Sequence, residues 1–443
     1  MTKQTDHYQN EFSSVWSELP GYKISWLDRL RLKAISEFTS EGFPSIKSED
    51  WKYTDLTPVR EARFQTRHVP SHDIPQERID TLLKELEGAI TIVFVDGIFH
   101  QVTHNAETQG LTLSSFKNAV DQRLVQVKDY LVSYPQTVSA FESLNTAFMN
   151  DGVYLSLEAG RVLQEPIQLL SISSGKNQHL SVHSRNLLVF GENSRATVVE
   201  RYLSLSEDKE YLTNTVTQTV LNAGATVEYT KIQEESDSAF HFLVNRASLA
   251  ENSNLTIHTQ DFGGRLTRYN LTVELNGPNA MCRVNGLFLV DGERQTDNYL
   301  LMEHKVPDCR SESLFRGVLD DKSKGVFRGR IKVHQDAQHT NAQLNNANML
   351  LSNNAEVDTM PQLEIYADDV KCNHGSSSGK LDEDQLFYLT SRGMDREAAH
   401  NLLVYAFANT VIEKIESEDV QKLVETILLN KLASNGDLKE LLQ

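Results

Sequence analysis

Between residues 150 and 378 the chain offers short alternating runs of apolar and β-branched residues and no amphipathic helix longer than two turns. Leu187–Phe190, Ala196–Val199, Thr215–Leu221, Thr226–Ile232 and Leu255–Thr259 are such runs, punctuated by Gly, Asn and Ser. A weak repeat passes through them. Asn193-Ser194-Arg195-Ala196-Thr197-Val198 is matched by Asn222-Ala223-Gly224-Ala225-Thr226-Val227, by Asn252-Ser253-Asn254-Leu255-Thr256-Ile257 and by Gly277-Pro278-Asn279-Ala280-Met281-Cys282, at successive spacings of 29, 30 and 25 residues. A strand, a small-residue corner and a second strand per unit is what the stacked coils of a β-solenoid require. A β-sandwich with evenly spaced turns is the other architecture the spacing allows.

The flanks read differently. Trp26, Leu27, Leu30, Ala34 and Phe38 recur at helical spacing among Asp28, Arg29, Arg31, Lys33 and Glu37, and Gly42-Phe43-Pro44 stops that helix. Ile79 to Leu86 is a second helical stretch, and Ile90 to Val95 reads as a strand ending in an Asp96-Gly97 turn. From Leu381 onward the pattern is helical again. Leu386, Tyr388 and Leu389 form a short apolar stripe, and Asp395 is placed to cap a helix carrying Ala398, Leu402, Leu403, Ala406, Phe407 and Val411. Ser417 opens a last helix with Val420, Leu423, Val424, Ile427 and Leu428. The expected division of the 443 residues is a mostly helical N-terminal domain at 1–115, a strand-built core at 116–380 and a C-terminal helical domain at 381–443. Helices at both ends of a strand stack would also cap its open edges.

Composition removes several functions. Lys plus Arg number 43 against 61 Asp plus Glu, a formal charge of −18. That field repels phosphate backbones, and no Arg/Lys run with interleaved aromatics is present, so no nucleic-acid partner is expected. The polar start, Met1-Thr2-Lys3-Gln4-Thr5-Asp6-His7, has neither a secretory h-region nor the Arg-rich, acid-poor character of a transit peptide. No apolar stretch is long enough for a membrane span. Cys282, Cys309 and Cys372 are odd in number and far apart, which fits a reducing compartment, and a cytoplasmic location is expected.

Most catalytic signatures are missing. There is no phosphate-binding Gly-x-x-x-x-Gly-Lys loop, no Gly-x-Ser-x-Gly elbow, no His-Glu-x-x-His and no Cys-x-x-Cys, so a four-thiolate iron–sulfur set cannot be built from this chain alone. One stretch does carry ligand chemistry: Asp368-Asp369-Val370-Lys371-Cys372-Asn373-His374-Gly375. In an extended strand, side chains two apart share a face, so Cys372 and His374 would project together about 7 Å apart. Thiolate and imidazole both ligate iron. Two ligands are half a site, and a partner would have to complete it. The plainer reading of the same residues is a buried cysteine beside a hydrogen-bonded histidine. His334, Gln335, Asp336, Gln338 and His339 form a polar cluster that reads either as a metal site or as a solvated loop. Asp358, Asp368 and Asp369 admit a carbohydrate-active β-helix with paired carboxylates, although such enzymes are usually exported.

Two segments resemble signatures of the SufD family. The first is Ser48-Glu49-Asp50-Trp51-Lys52-Tyr53-Thr54-Asp55-Leu56, following Gly42-Phe43-Pro44. The second runs from Glu364-Ile365-Tyr366-Ala367 through Cys372-Asn373-His374-Gly375 and Gly379-Lys380-Leu381-Asp382-Glu383-Asp384-Gln385-Leu386-Phe387-Tyr388-Leu389 to Ser391-Arg392-Gly393. The paralogous SufB chains share the Glu-Asp-Gln-Leu-Phe-Tyr element but are generally richer in cysteine, while the Trp-Lys-Tyr-Thr and Cys-Asn-His-Gly contexts look like SufD. At Asn373, Ser376, Ser377 and Ser378 relatives often carry other small residues.

The resemblance implies a right-handed parallel β-helix core flanked by N-terminal and C-terminal α-helical domains. It also implies a non-catalytic scaffold subunit for iron–sulfur cluster assembly, in complex with a SufB-type paralogue and a SufC-type ABC ATPase. The helices after Leu381 would dock the ATPase, with Leu386, Leu389, Leu402, Leu403 and Phe407 in the docking region. The β-helix cores of SufB and SufD would associate, a homodimer forming where SufB is absent. His374, supported by Cys372, would contribute to a transient iron–sulfur cluster shared across that interface, no cofactor being held stably by this chain alone.

Overall fold

The structure, a computed structural model, describes residues 3–66, 74–103, 110–122, 125–133, 139–206 and 209–432. Helices α1 (Lys3–Val15) and α2 (Ser25–Glu41) pack through Tyr8, Phe12, Ala34, Ile35 and Phe38. As the sequence predicts, α2 stops at Gly42, whose φ of 70° lies where glycine carries no Cβ penalty. Helices α3 (Thr57–Ala62) and α4 (Gln76–Lys84) follow, then strands β1 (Ile90–Val95), β2 (Ile98–Val102) and β3 (Leu111–Ser115). The expected Asp96-Gly97 turn joins β1 to β2 with both residues at positive φ. Next come α5 (Phe116–Asp121), α6 (Val125–Val132) and α7 (Ala140–Phe148), the last opened by a capping box between Ser139 and Glu142.

Strands then follow one another up to residue 380. They are β4 (Val153–Leu157), β5 (Ile167–Ser173), β6 (Ser181–Val182), β7 (Arg185–Phe190), β8 (Arg195–Ser204), β9 (Leu212–Leu221), β10 (Thr226–Glu234), β11 (Phe240–Leu249) and β12 (Asn254–Asp261). After these come β13 (Leu266–Leu275), β14 (Met281–Val290), β15 (Gln295–His304), β16 (Arg310–Leu319), β17 (Lys324–Val333), β18 (Asn341–Leu350), β19 (Glu356–Ile365) and β20 (Lys371–Lys380). Alternate strands join alternate sheets. One sheet runs β2-β1-β5-β8-β10-β12-β14-β16-β18-β20 and the other β19-β17-β15-β13-β11-β9-β7-β4-β3, with β6 beside β9. Pairing along both stacks is parallel, except that β2 and β3 close the first edges antiparallel to β1 and β4. This is the parallel β-solenoid, and the sandwich alternative is set aside.

Arg195, Thr226, Asn254, Met281, Arg310, Asn341 and Lys371 stand in one row, so successive coils take 31, 28, 27, 29, 31 and 30 residues. Two residues before each of the first six stands a corner residue at positive φ: Asn193, Gly224, Asn252, Asn279, Asp308 and His339. Asn and Asp tolerate this region better than other side chains. The sequence repeat is therefore a corner repeat. Its second and fourth copies are displaced by two residues in the structure, because Gly224 occupies the corner in place of Asn222, and Asn279 in place of Gly277.

The parallel register stacks like positions into columns. Ala196, Val227, Leu255, Cys282, Ser311, Ala342 and Cys372 form one inward column, and Val198, Tyr229, Ile257, Val284, Ser313, Leu344 and His374 the next. Each fully buried aliphatic member contributes about 1.5–3 kcal/mol. Further along the strands the early coils bury charge, and every charge is matched. Glu200 accepts from the Tyr202 and Tyr229 hydroxyls, from Asn186 Nδ2 at 2.8 Å and from Thr217 Oγ1 at 3.2 Å. Lys231 pairs with Asp261 and lies 4.7 Å over the Tyr269 ring, while Glu235 pairs with His241 at 2.6 Å. Unmatched, such groups would cost several kcal/mol each.

Later coils replace this with a tight aromatic layer. Phe315 and Phe327 meet at 4.6 Å, and Phe288 fills the space left by Gly317. A Cβ on Gly317 would stand 2.3 Å from the Phe288 ring and 2.5 Å from Asn348 Oδ1.

Helices α8 (Glu383–Ser391), α9 (Arg396–Ile412) and α10 (Glu418–Leu432) complete the described chain, α9 capped by Asp395 as expected. Here the structure departs from the capping expectation. Val404, Ala408, Val411, Val424 and Leu428 of α9 and α10 fold back onto Val199, Ile232, Leu287, Leu289 and Val318, on the outer face of the first sheet. That face is apolar and had to be covered, so the helices cover it, and among the described residues they do not cap the last coil. The aromatic layer generates one prediction. Gly317→Ala should lower stability by about 1–3 kcal/mol through overpacking, read as a reduced denaturant midpoint with unchanged slope.

Candidate functional site at the open end of the solenoid

Strands β19 and β20 are the last in their sheets, each paired on one side only. Their free edges present unpaired backbone donors and acceptors, a template for another strand. Among the described residues no helix lies in the sheet order beyond them, and most of β20 is exposed on both faces. Ile365 and Tyr366 at the end of β19 add exposed apolar surface beside this edge.

Cys372 and His374 lie on β20, two apart and on the lumen-facing side, as the strand reading requires. Each ends its column, over Ala342 and Leu344 respectively. Because no further coil covers them, lumen positions become surface positions. His374 is exposed, and Cys372 is half-buried against the interior cluster. Burial pushes the Cys372 thiol up, a backbone hydrogen bond at Ala342 pulling the other way. A thiol held up gives less thiolate at neutral pH and is the weaker of the two ligands there. Beyond His374 the mouth stays polar: Thr359 Oγ1 lies 2.9 Å from both Asn346 Oδ1 and Ser376 Oγ.

The other candidates separate. His334 Nε2 lies 3.8 Å from Glu303, while His339 pairs with Asp369 at 3.0 Å, so the two histidines serve different carboxylates. Asp358 faces Lys324 at 3.6 Å on the outer side of β19, away from the corner that holds Asp369. The paired-carboxylate reading of a carbohydrate-active enzyme finds no support. Among the described residues no three His, Cys, Asp or Glu side chains gather to hold a metal ion.

The first signature segment is a clasp across the outer face of the second sheet. Trp51 stacks on Phe141 at 5.5 Å, and the Arg268 guanidinium lies 3.8 Å over its ring. Arg268 also donates to Asp50 O at 2.9 Å, and Gln295 Nε2 donates to Tyr53 O at 2.9 Å. Nothing in its spacing pointed to that role.

On the C-terminal helices, Leu386 is 2 % exposed and belongs to the packed interior. Leu389, Leu402, Leu403 and Phe407 are half-buried. The exposed large apolar side chains of α8 are Phe387 and Tyr388, at 72 % and 54 %; the apolar stripe read from the sequence includes Tyr388 and omits Phe387. The α9–α10 corner is pinned to the solenoid by Glu228 of β10, which accepts from Glu416 N at 2.6 Å, Ser417 N at 3.3 Å and His258 Nε2 at 3.1 Å. Burial opposes ionisation of Glu228, but these donors and the His258 charge outweigh it and hold the carboxyl below its usual range.

Comparison with known proteins decides the family. A profile described as "SUF system FeS cluster assembly, SufBD core domain" matches residues 172–407, and one described as "SufBD protein N-terminal region" matches residues 2–169. The chain belongs to the SufBD family. It is 32% identical over 394 residues to the iron–sulfur cluster assembly protein SufD of Escherichia coli, covering 88% of this chain and 89% of that one. It is 28% identical over 410 residues to a SufBD family protein of Synechocystis, with 90% of each covered, and 24% identical over 425 residues to SufD of Bacillus subtilis, covering 92% and 94%. These agree with the SufD resemblance of the two signature segments. Among the described residues no helix is long and apolar enough to cross a membrane.

The Glu228 pin of this SufBD chain generates a pH prediction. A carboxyl depressed in the folded state stabilises fully above its unfolded value of about 4.5, and that stability is lost as pH falls through the folded value. Glu228→Gln should therefore cost about 1–3 kcal/mol at pH 7. The gap from the parent should narrow as pH falls below about 4.5. A gap independent of pH would remove the carboxylate from the account.

Proposed function

We propose that this SufBD chain is a non-catalytic scaffold subunit of a cytoplasmic iron–sulfur cluster assembly complex. In this reading the uncapped coil pairs edge to edge with a SufB-type paralogue, and the C-terminal helices carry a SufC-type ATPase. His374, with Cys372 in support, contributes to a transient cluster held across the paired ends. The observation that carries the reading is the exposure of a Cys-x-His pair on lumen-facing positions of an open coil, beside two free strand edges. The cluster is the cargo of assembly, and this chain supplies part of its ligand set.

The chemistry follows from the side chains. A neutral imidazole binds iron and an imidazolium cannot, so protons compete with iron for this ligand. The half-buried thiol must lose a proton before it binds, which makes Cys372 secondary. Without the paralogue, the same edges would pair two copies of this chain. Phe387 and Tyr388, as exposed apolar side chains of α8, are the best-placed contacts for the ATPase.

Two outcomes check the reading. In the complex co-expressed with its partners, His374→Ala should leave subunit stoichiometry unchanged and lower bound iron and sulfide at least about tenfold, with Cys372→Ala doing less. Normal iron and sulfide in His374→Ala would leave that residue a surface histidine. Phe387→Ser with Tyr388→Ser should release the ATPase while the paralogue stays bound. These point changes are preferable to deleting residues 381–443, which would bare the apolar sheet face under α9 and α10.

A further inference from the structure

The two parts of this reading lie on different elements, and one side chain stands between them. Arg316 is on the outer face of β16, beneath α9. Its guanidinium carbon lies 5.6 Å from the centre of the Phe407 ring. Its Nη1 donates to Asn345 Oδ1 at 2.9 Å and to its neighbour's carbonyl, Phe315 O, at 3.1 Å. Asn345 stands beside Gly375 in the β18–β20 register, and its Nδ2 is 3.5 Å from where a Cβ on Gly375 would be. Gly375 follows His374. Side-chain contacts thus run from a ring on α9 through a guanidinium to the amide of Asn345, whose backbone is in register with the residue that follows the imidazole.

The other contacts in this region are apolar. Leu314, Met349 and Leu351 pack against the helix cluster as partly buried side chains. Such contacts are non-directional and tolerate sliding. A guanidinium set over a ring, with an N–H committed to an amide oxygen, is directional and constrains distance and orientation together.

We infer that Arg316 is a positioning residue that ties helix α9 to strand β20, so that displacement of α9 is transmitted to the strand bearing His374. The inference rests on the proposed function for its significance, and on the Phe407–Arg316–Asn345 contacts and the Asn345–Gly375 register for its substance. A partner that moves Phe407 would free Arg316, and Asn345 would lose the bond that fixes its amide beside β20. Lysine could not replace the arginine, because an ammonium neither stacks flat nor offers a fork.

Hydrogen exchange on the full chain alone tests the link. Arg316→Ala should speed exchange of the amides of residues 371–380 that pair with β18 by about fivefold, the factor set by one ordinary hydrogen bond. Peptides from 226–261 should be unchanged. Phe407→Leu keeps the apolar packing and lies over β16, two strands from β20 in the sheet order. It should produce the same selective change, and the double variant should do no more than either single. Arg316→Lys should behave as the alanine variant does. Unchanged exchange over 371–380 in Arg316→Ala, or additive changes in the double variant, would overturn the inference. Because no partner is present, either result leaves the docking and cluster readings to be judged on their own experiments.

Discussion

Each inner coil of this protein is held by backbone hydrogen bonds to the coil before and after it, in parallel register, and that ladder sets the rest. It stacks like residues over like residues, so a column that passes through Ala196 or Val198 ends with Cys372 or His374. It also leaves the stack with two ends. The first is closed by β2 and β3, which turn antiparallel and break the template. The last stays open at β19 and β20, where backbone groups still seek partners. The Cys372-x-His374 pair placed there is half in the interior pattern and half on the surface, which suits the proposed site finished by a second molecule.

The interior shows why the open end is distinct from the body. In the early coils Glu200, Lys231, Glu235 and Asp261 are buried with their partners, an arrangement that specifies one register because any slip would strand a charge. The phenylalanine and glycine layer of the later coils then packs closely, with Asn348 as a polar neighbour at Gly317. Toward the open end Asn346, Thr359 and Ser376 make the lumen polar. The helices fit the same logic. With α9 and α10 spent on covering the apolar face of one sheet and pinned by Glu228, they brace the coils before the last one from the side.

Much of this could be read from the chain. The asparagine repeat is visible because each corner needs a residue at positive φ, and Asn193, Asn252 and Asn279 supply it. The phase of the second copy was two residues off, since glycine does the same work at 224 and composition cannot tell which small residue turns the chain. Cys372 and His374 were found because period two is a reliable property of strands. Their position at the end of two columns was not legible, because that depends on which coil is last. Leu386 looked like surface on a helical stripe, while the body of the chain claims it and presents Phe387 and Tyr388 instead. A stripe shows which residues share a face and leaves open what that face meets. The Trp51 clasp was invisible for the same reason, its partners Phe141, Arg268 and Asp297 being far away in sequence.

The claim at the centre is that His374 meets iron at the end of the stack. It is tested most directly by pulsed electron paramagnetic resonance on the reduced cluster of the assembled complex, with only this chain carrying histidine labelled with heavy nitrogen. The account predicts a hyperfine coupling from a directly bound labelled nitrogen, absent when His374 is replaced by alanine. A cluster formed in normal yield with no such coupling would contradict it.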